Sequence, residues 1–250
     1  MRATGADKSL QSTLSWALER MKEKGFEIRS PVSLAIDPKL TIMGYAKKEG
    51  QAHKIVISDW ALDSEMLGGL VLHELAHVYF TEKGAHSHDS EHLERTLQGM
   101  KDNEGLRGKE MEHLIDAFNH LQNILVDDVV FAVMQPKELE VAKRFFAEWV
   151  SDRPSGDPVL DASMVCRNAF AIASLRRRRM PVDGTEMHYR NLSFLAALGE
   201  FAEKEYQWLE PFLENARSDW SETEFQAQVE EYLDRVLSLM RPASKLADLR

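Results

Sequence analysis

The chain has 250 residues, of which 44% are apolar and 29% charged, and its formal net charge is −10. This length allows one large domain or two small ones. The acidic excess argues against a nucleic-acid surface, and no run of about 18 apolar residues predicts a membrane span. The single cysteine, Cys166, excludes an internal disulfide and a cysteine-rich zinc site. Because the first residues lack the apolar core of a signal peptide, we expect a cytoplasmic protein.

The first quarter of the chain is predicted to form one helix and a small sheet. Apolar residues recur at helical spacing from Ser9 to Lys24, and Gly25 ends that segment. Three short runs typical of strands follow, at Pro31–Ile36, Leu40–Tyr45 and Lys54–Ser58. Turn signals at 37–39 and 47–50 separate them, which favours an antiparallel meander.

The rest of the chain is predicted to be mainly helical. The helices are expected at residues 64–82, 90–100, 109–134, 137–150, 160–179, 186–204, 205–216 and 221–240. The segment 151–158, rich in Pro, Ser and Asp, is typical of a linker. The pattern predicts an α+β fold, with a core over residues 1–135 and an all-helical portion over residues 136–250.

The sequence His73-Glu74-Leu75-Ala76-His77 lies inside an apolar segment of helical length. Residues four apart share a face of a helix, so the two imidazoles can bind one Zn²⁺ together. The carboxylate of Glu74, beside the first of them, suits a base that takes a proton from a water on that metal. Two histidine ligands leave room for a third protein ligand and an open position, as a catalytic zinc site requires.

The same motif also arises by chance, as two surface histidines and a glutamate on an ordinary helix. Context favours the metal site, because a helix start signal at Asp63-Ser64-Glu65 precedes the motif and Gly84 follows it. The pair Gly68-Gly69 disfavours a helix by about 1 kcal/mol per residue relative to alanine. A close packing partner would explain these glycines, but the sequence does not identify one.

A third ligand is predicted on the long helix at 109–134. Its polar residues follow steps of three and four and form one stripe on an otherwise apolar helix: His113, Asp116, His120, Asn123 and Asp127. Asp127 and Asp128 lie in a very apolar stretch, where carboxylates are normally paired or bound to metal. Asp127 belongs to the stripe and is the predicted third ligand. Asn123, His120 and Asp128 are predicted as supporting residues or substitute ligands.

Two alternatives to this ligand set stay open. The stripe is also what a solvated face of an amphipathic helix looks like, with an incidental pair of aspartates. His86 and His88 could reach a metal from their loop, although their spacing is more typical of a solvated loop.

The motif and the stripe resemble the zincin metallopeptidases, and within them the gluzincin arrangement, where an acidic residue on a later helix completes H-E-x-x-H. The segment Asn123–Asp127 is similar to an Asn-x-x-x-Asp pattern of metallopeptidase-like prokaryotic proteins, whose aspartate is the proposed third ligand. The resemblance covers roughly residues 10–135, and the better-known gluzincins have glutamate where this chain has Asp127. It implies ligand roles for His73, His77 and Asp127 and a base role for Glu74.

The resemblance implies a zinc-dependent peptidase with a peptide or protein substrate, and no nucleic-acid or membrane partner is expected. An extended substrate would lie along a sheet edge at Lys54–Ser58, and Tyr45, Tyr79 or the cluster at 188–190 would stabilise an oxyanion. A second hypothesis is a catalytically silent or latent zincin-fold protein that acts as an interaction module. In the latent form the C-terminal helices would cover the cleft.

Overall fold

The computed structural model describes residues 5–242, with side chains from residue 10 onwards. Within that range the chain forms nine α-helices and a small sheet, which confirms the predicted α+β class with a helical C-terminal portion. The elements of the first half are α1 (Gly5–Glu23), β1 (Val32–Asp37), β2 (Gly44–Glu49), β3 (Ala52–Ser58), α2 (Leu67–Glu82), α3 (Ser90–Glu104) and α4 (Gly108–Val133). The remaining helices are α5 (Pro136–Trp149), α6 (Pro158–Arg177), α7 (Glu186–Leu198), α8 (Glu200–Glu214) and α9 (Glu222–Met240). Short 3₁₀ turns at Asp59–Ala61 and His86–His88 lie before and after α2.

The sheet is mixed, so the predicted antiparallel meander is wrong. The strand order is β1-β3-β2; β3 pairs parallel with β1 and antiparallel with β2. The contiguous apolar residues 55–57 are all buried, which suits a central strand, and β1 and β2 are less buried. Residues 38–43 therefore connect β1 to the far side of β3 instead of forming a hairpin, and the second strand begins four residues later than predicted.

This strand order moves the edge of the sheet. The edge predicted at Lys54–Ser58 is wrong, because β3 is hydrogen-bonded on both sides and β1 and β2 form the edges. A tight hairpin joins β2 to β3 at Gly50, whose φ of +62° favours glycine. β2 is therefore the edge strand that continues directly into the centre of the sheet.

The helices match their predicted bounds to within four residues, except at the boundary between α7 and α8. The break predicted between residues 204 and 205 lies at Gly199, whose φ of +94° and ψ of 178° end α7 and precede α8. A residue with a Cβ rarely adopts that conformation, so the glycine decides the boundary. Over residues 5–242, no helix is both long and apolar enough to cross a membrane.

The described chain divides into two compact units. The first unit contains residues 5–88 and 126–142, and so includes α1, the sheet, α2 and the last two turns of α4. The second unit contains residues 89–125 and 143–242. This division differs from the predicted one at residue 135, because α3 and most of α4 group with the C-terminal helices. Residues 1–4 and 243–250 of the two predicted domains lie outside the described residues.

The segment predicted as a linker, 151–158, lies inside the second unit. The Asp161 carboxylate accepts hydrogen bonds from the backbone N–H groups of Ser155 and Gly156 and from the Ser155 hydroxyl. These bonds attach the segment to the first turn of α6.

The glycine pair of α2 has close packing partners within the first unit. A Cβ atom at Gly68 would lie 3.2 Å from the ring of Trp16 on α1. A Cβ atom at Gly69 would lie 2.8 Å from Cε of Met134, which follows α4. The two glycines therefore allow α1 and the end of α4 to approach α2 closely, which explains their presence in a helix.

Candidate metal centre

The histidine pair lies on the half-buried side of α2. Eight of the sixteen residues of this helix are buried, among them Glu74, while His73 and His77 are half-buried. The side chain of His73 is 24% exposed. The helix is therefore packed on most sides, and solvent reaches it at the imidazoles.

The two imidazoles face each other through their Nε2 atoms, which are 3.3 Å apart. Their ring centroids are 4.9 Å apart, with the ring planes at 72°. A tetrahedral zinc ion with Zn–N bonds of about 2.0–2.1 Å would separate two nitrogen ligands by about 3.3 Å. The spacing of His73 and His77 therefore suits two ligands of one zinc ion.

Asp127 contacts the opposite nitrogen of His73. Its Oδ1 lies 3.1 Å from Nδ1 of His73, and its side chain is only 6% exposed. A carboxylate at Nδ1 fixes the orientation of the ring and keeps the Nε2 lone pair directed towards His77. Oδ2 of Asp127 is buried and has no hydrogen-bond partner among the described residues. The contact favours an orienting role over that of a third ligand, and the ligand role of Asp127 stays a prediction.

His88 and Ser87 stand behind His77 as Asp127 stands behind His73. Nε2 of His88 lies 2.9 Å from Nδ1 of His77, and Nδ1 of His88 lies 3.0 Å from Oγ of Ser87. The ring of His88 stacks on Phe80, with centroids 5.2 Å apart. Burial, assisted by the nearby His73, lowers the pKa of His88 to about 4, so this ring is neutral at neutral pH.

The interpretation of residues 86–88 as a solvated loop is therefore wrong for Ser87 and His88. Gly84, with φ of +63°, ends α2 in the left-handed conformation and reverses the chain. The N–H of Ala85 then donates to the carbonyl of Phe80, and the 3₁₀ turn returns along α2 towards His77. The helix-ending glycine was visible in the sequence, but the direction of the returning chain was not.

Glu74 is buried beneath the edge strand β2, with 5% of the residue exposed. The backbone N–H of Ala46 donates to its carboxylate. A Cβ atom at Gly44 would lie 3.6 Å from Oε1 of Glu74, so the absence of a side chain there leaves room beside the carboxylate. Burial raises the pKa of Glu74, while His73 and the Ala46 hydrogen bond oppose that rise. A carboxylate with a raised pKa is a better proton acceptor near neutral pH.

The residues predicted to support the ligands are divided between the two units. Asp128 belongs to the first unit and is half-buried, whereas Asn123 and His120 belong to the second. The ring of His120 stacks on Phe170, with centroids 5.0 Å apart, and burial lowers its pKa to about 4. His113 lies 3.6 Å from Asp116 on the same helix. The metal-binding roles predicted for Asn123, His120 and Asp128 stay predictions.

The predicted oxyanion stabilisers also lie in different places. Tyr45 is on the edge strand β2, next to Gly44. Tyr79 packs edge-on against Phe26 and Phe80, which suggests a packing role. Residues 188–190 belong to the second unit.

The donor set fits zinc in part. Among the side chains of residues 10–242, no group of three or more His, Cys, Asp or Glu is arranged to hold a metal ion. Only the Nε2 atoms of His73 and His77 face a common point, because Asp127 and His88 contact the other ring nitrogens. The two imidazoles have the right spacing, each has a polar partner behind it, and a buried carboxylate oxygen lacks a donor. The arrangement is that of two imidazoles, each oriented by a polar partner, with a buried carboxylate on the residue that follows the first of them.

Comparison with known proteins assigns the chain to a family. It belongs to a family of unknown function, DUF5781, whose sequence profile matches residues 11–196. The matched range includes α2, the turn at His86–His88 and all of α4. No curated protein and no solved structure matches the chain.

Proposed function

We propose that the protein is a zinc-dependent metallopeptidase whose first two metal ligands are Nε2 of His73 and Nε2 of His77. One observation carries the proposal: these two atoms are 3.3 Å apart, and the buried Glu74 is the next residue after His73. A solvated surface helix is not expected to bring two imidazole nitrogens to this separation and also to bury the carboxylate of Glu74. The resemblance to zincins supports the same assignment.

The chain's own residues supply orientation and proton transfer. When bound, zinc would act as a Lewis acid on the scissile carbonyl and lower the pKa of a water molecule. Glu74 takes the proton of the attacking water and passes it to the leaving amine. Asp127 accepts a hydrogen bond from Nδ1–H of His73 and so keeps Nε2 available as a ligand.

The substrate is proposed to be an extended peptide that pairs with β2. This strand is an edge of the sheet, and its Ala46 N–H donates to Glu74. A peptide added to this edge by backbone hydrogen bonds would run beside the base, with little dependence on its side chains. Pairing of a peptide with an edge strand, expected from the sequence at residues 54–58, is thus proposed at residues 44–49.

A second candidate function is a catalytically silent or latent protein that acts as an interaction module. The observation in its favour is the 5% exposure of Glu74, whose carboxylate already accepts a hydrogen bond from Ala46. The hydrogen bond from Ala46 and the packing around the Glu74 carboxylate have to open before a water molecule reaches this base.

The test measures zinc content and hydrolysis separately in four proteins. Wild type is expected to contain about one zinc per chain and to hydrolyse an unstructured protein substrate. Glu74→Gln is expected to keep zinc and lose turnover, and His77→Ala to lose both. His53→Gln is the control, because it changes another buried histidine of the same unit, one that lies 3.9 Å from Glu82.

The outcomes separate the two candidate functions. Equal hydrolysis by wild type and Glu74→Gln would contradict the peptidase mechanism. Stoichiometric zinc without hydrolysis, across a library of peptides, would favour the silent module. Failure of wild type to bind zinc after reconstitution would overturn the metal centre itself.

A further inference from the structure

We infer that Ser87 and His88 form a positioning pair for His77, which sets the tautomer of that ring and thereby its capacity to bind a metal. The inference rests on the proposed zinc site, but it concerns the ring nitrogen of His77 that faces away from the metal. Neither residue belongs to the motif, and the sequence indicated a solvated loop for both.

The observation behind this inference is a continuous line of polar contacts through the first unit. Oδ1 of Asp127 contacts Nδ1 of His73, whose Nε2 faces Nε2 of His77. Nδ1 of His77 contacts Nε2 of His88, whose Nδ1 contacts Oγ of Ser87. The distances along the line are 3.1, 3.3, 2.9 and 3.0 Å.

Without a metal, and at a pH where all three rings are neutral, the direction of each hydrogen bond follows from the carboxylate at one end. Asp127 only accepts, so His73 donates from Nδ1 and presents a lone pair at Nε2. His77 then donates from Nε2 and presents a lone pair at Nδ1. His88 in turn donates from Nε2, and the hydroxyl of Ser87 donates to Nδ1 of His88. Each neutral ring carries one proton.

A metal at the two Nε2 atoms requires a lone pair on both of them. His73 meets this requirement without change, because its proton is already on Nδ1. His77 has to carry its proton on Nδ1 and donate it to Nε2 of His88, which then has to be an acceptor. His88 carries its proton on Nδ1 and donates it to Oγ of Ser87. The direction of donation therefore reverses in two hydrogen bonds, the one between His77 and His88 and the one between His88 and Ser87. Each ring still holds one proton.

This reversal explains why different groups stand behind the two ligands. A carboxylate suffices behind His73, because that ring donates in both states. His77 needs a partner that donates in one state and accepts in the other. An imidazole and a hydroxyl each do both.

The fold holds His88 in place for this task. The ring stacks on Phe80 of α2 with an interplanar angle of 16°, and the N–H of His88 donates to the carbonyl of Ala85 at 2.8 Å. Ser87 is 3% exposed, so its hydroxyl is kept from bulk water. The pair is therefore a fixed part of the first unit.

The first experiment measures zinc affinity by competition with a chromogenic chelator, with the thermal midpoint of each metal-free protein measured in parallel. His88→Ala is expected to weaken zinc binding by about 10–100-fold, the usual effect of removing a partner behind a ligand. His88→Gln is expected to restore most of the affinity, because its amide oxygen reaches the position of Nε2 and accepts from Nδ1 of His77. Ser87→Ala should have a smaller effect in the same direction. His53→Gln is the control for the loss of a buried histidine and should leave the affinity unchanged.

The second experiment reads the tautomers directly from ¹⁵N chemical shifts of the histidine rings. In wild type, zinc is expected to move the protons of His77 and His88 from Nε2 to Nδ1 and to leave His73 protonated at Nδ1. If the role of His88 were purely structural, His88→Ala would have a lower thermal midpoint, but zinc would not move the ring protons of the wild type in this way. His88→Gln would then not restore the zinc affinity.

The outcomes distinguish this inference from the proposed function. Wild-type zinc affinity in His88→Ala, or unchanged tautomers in the zinc-bound wild type, overturns the positioning pair and leaves the metallopeptidase proposal intact. Weakened affinity in His88→Ala together with no hydrolysis by wild type supports the pair and overturns the peptidase. Absence of zinc binding in wild type overturns both.

Discussion

Nδ1 of His73 lies 3.1 Å from Oδ1 of Asp127, although 54 residues separate them in the chain. The contact joins the motif helix α2 to the last two turns of α4 inside the first unit. Because it uses the nitrogen opposite Nε2, it leaves the side of the ring that faces His77 unchanged. Asp127 thus has the position of a residue that orients a ligand.

Substitution of Asp127 tests this assignment through zinc affinity. Asp127→Asn keeps an oxygen that accepts the Nδ1 proton of His73, so we expect a loss of about 10-fold or less. Asp127→Ala removes the acceptor and should cost up to about 100-fold. The measurement is chelator competition on both variants, with Asp63→Asn as the control for the same change at an exposed position of the first unit.

A different pattern would restore the ligand role predicted for Asp127. An amide nitrogen or oxygen is a much poorer zinc ligand than a carboxylate. Equal and severe losses in the asparagine and alanine variants would therefore show that Asp127 binds the metal directly.

Gly44 offers a test of the space beside Glu74. A Cβ atom there would lie 3.1 Å from the carbonyl oxygen of Val56 and 3.6 Å from Oε1 of Glu74. Gly44→Ala requires the strands to move by a few tenths of an ångström and should lower the free energy of unfolding by about 1 kcal/mol. Gly44→Val adds methyl groups beside the carboxylate and should reduce turnover by at least about 10-fold while zinc content stays the same. Steady-state kinetics and metal analysis check this, with Lys48→Ala on the exposed end of β2 as the control.

Unchanged turnover in Gly44→Val, with the protein folded and loaded with zinc, would contradict this picture. It would mean that the side of Glu74 that faces β2 is not used in the reaction.

Much of the site could be predicted from the sequence because its residues lie close together or share one helical period. His73, Glu74 and His77 are fixed by the four-residue spacing of a single helix. Asp127 was identified because a carboxylate in an apolar stretch needs a partner. Its partner, His73, follows from a contact between side chains 54 residues apart, which no local pattern contains.

The errors have the same origin. β1 pairs with β3 rather than β2, because the fully apolar run at residues 55–57 is most stable in the centre of the sheet. The individual strands were visible, but their order depends on burial in three dimensions. His88 was named as a possible ligand, but its position behind His77 could not be predicted, because Gly84 reverses the chain after α2 and the residue that returns to His77 depends on the path of the turn.

Glu110 provides a prediction for the stability of the second unit. Its buried carboxylate accepts two hydrogen bonds from the guanidinium of Arg241, at 2.8 and 2.7 Å, and one from the side chain of Arg107. These partners, Arg241 first, hold the pKa of Glu110 well below its ordinary value. Glu110→Gln should lower the free energy of unfolding by about 3 kcal/mol at pH 7, as expected for breaking a buried ion pair.

The pH dependence of that loss has a defined direction. The folded-state pKa of Glu110 is lower than the unfolded value of about 4.3, so the carboxylate stabilises the fold fully above that pH. The contribution disappears as pH falls through the folded-state pKa. Urea unfolding should therefore give a constant difference between wild type and Glu110→Gln from pH 8 to 6, and a smaller one below about pH 4.3. Glu112→Gln, an exposed position on α4, is the control, and a difference that grows on acidification would contradict the assignment.

His120 should make the protein sensitive to mild acid. Its Nδ1 is buried without a hydrogen-bond partner among the described residues, and its ring stacks on Phe170 at an interplanar angle of 15°. Burial lowers the pKa of His120 to about 4 from an ordinary 6.5. Between pH 4 and 6.5 the imidazole is therefore protonated in the unfolded chain and neutral in the folded one. Stability is therefore lost as pH falls from 6.5 towards 4, by up to roughly 3 kcal/mol at about 1.4 kcal/mol per pKa unit.

His120→Phe keeps the stacked ring and removes the titrating group, so the acid-unfolding midpoint should move to lower pH while stability at pH 8 changes little. His113→Phe on the same helix is the control, because it makes the same substitution at a histidine that lies 3.6 Å from Asp116. An unchanged midpoint in His120→Phe would show that the ring is protonated without cost.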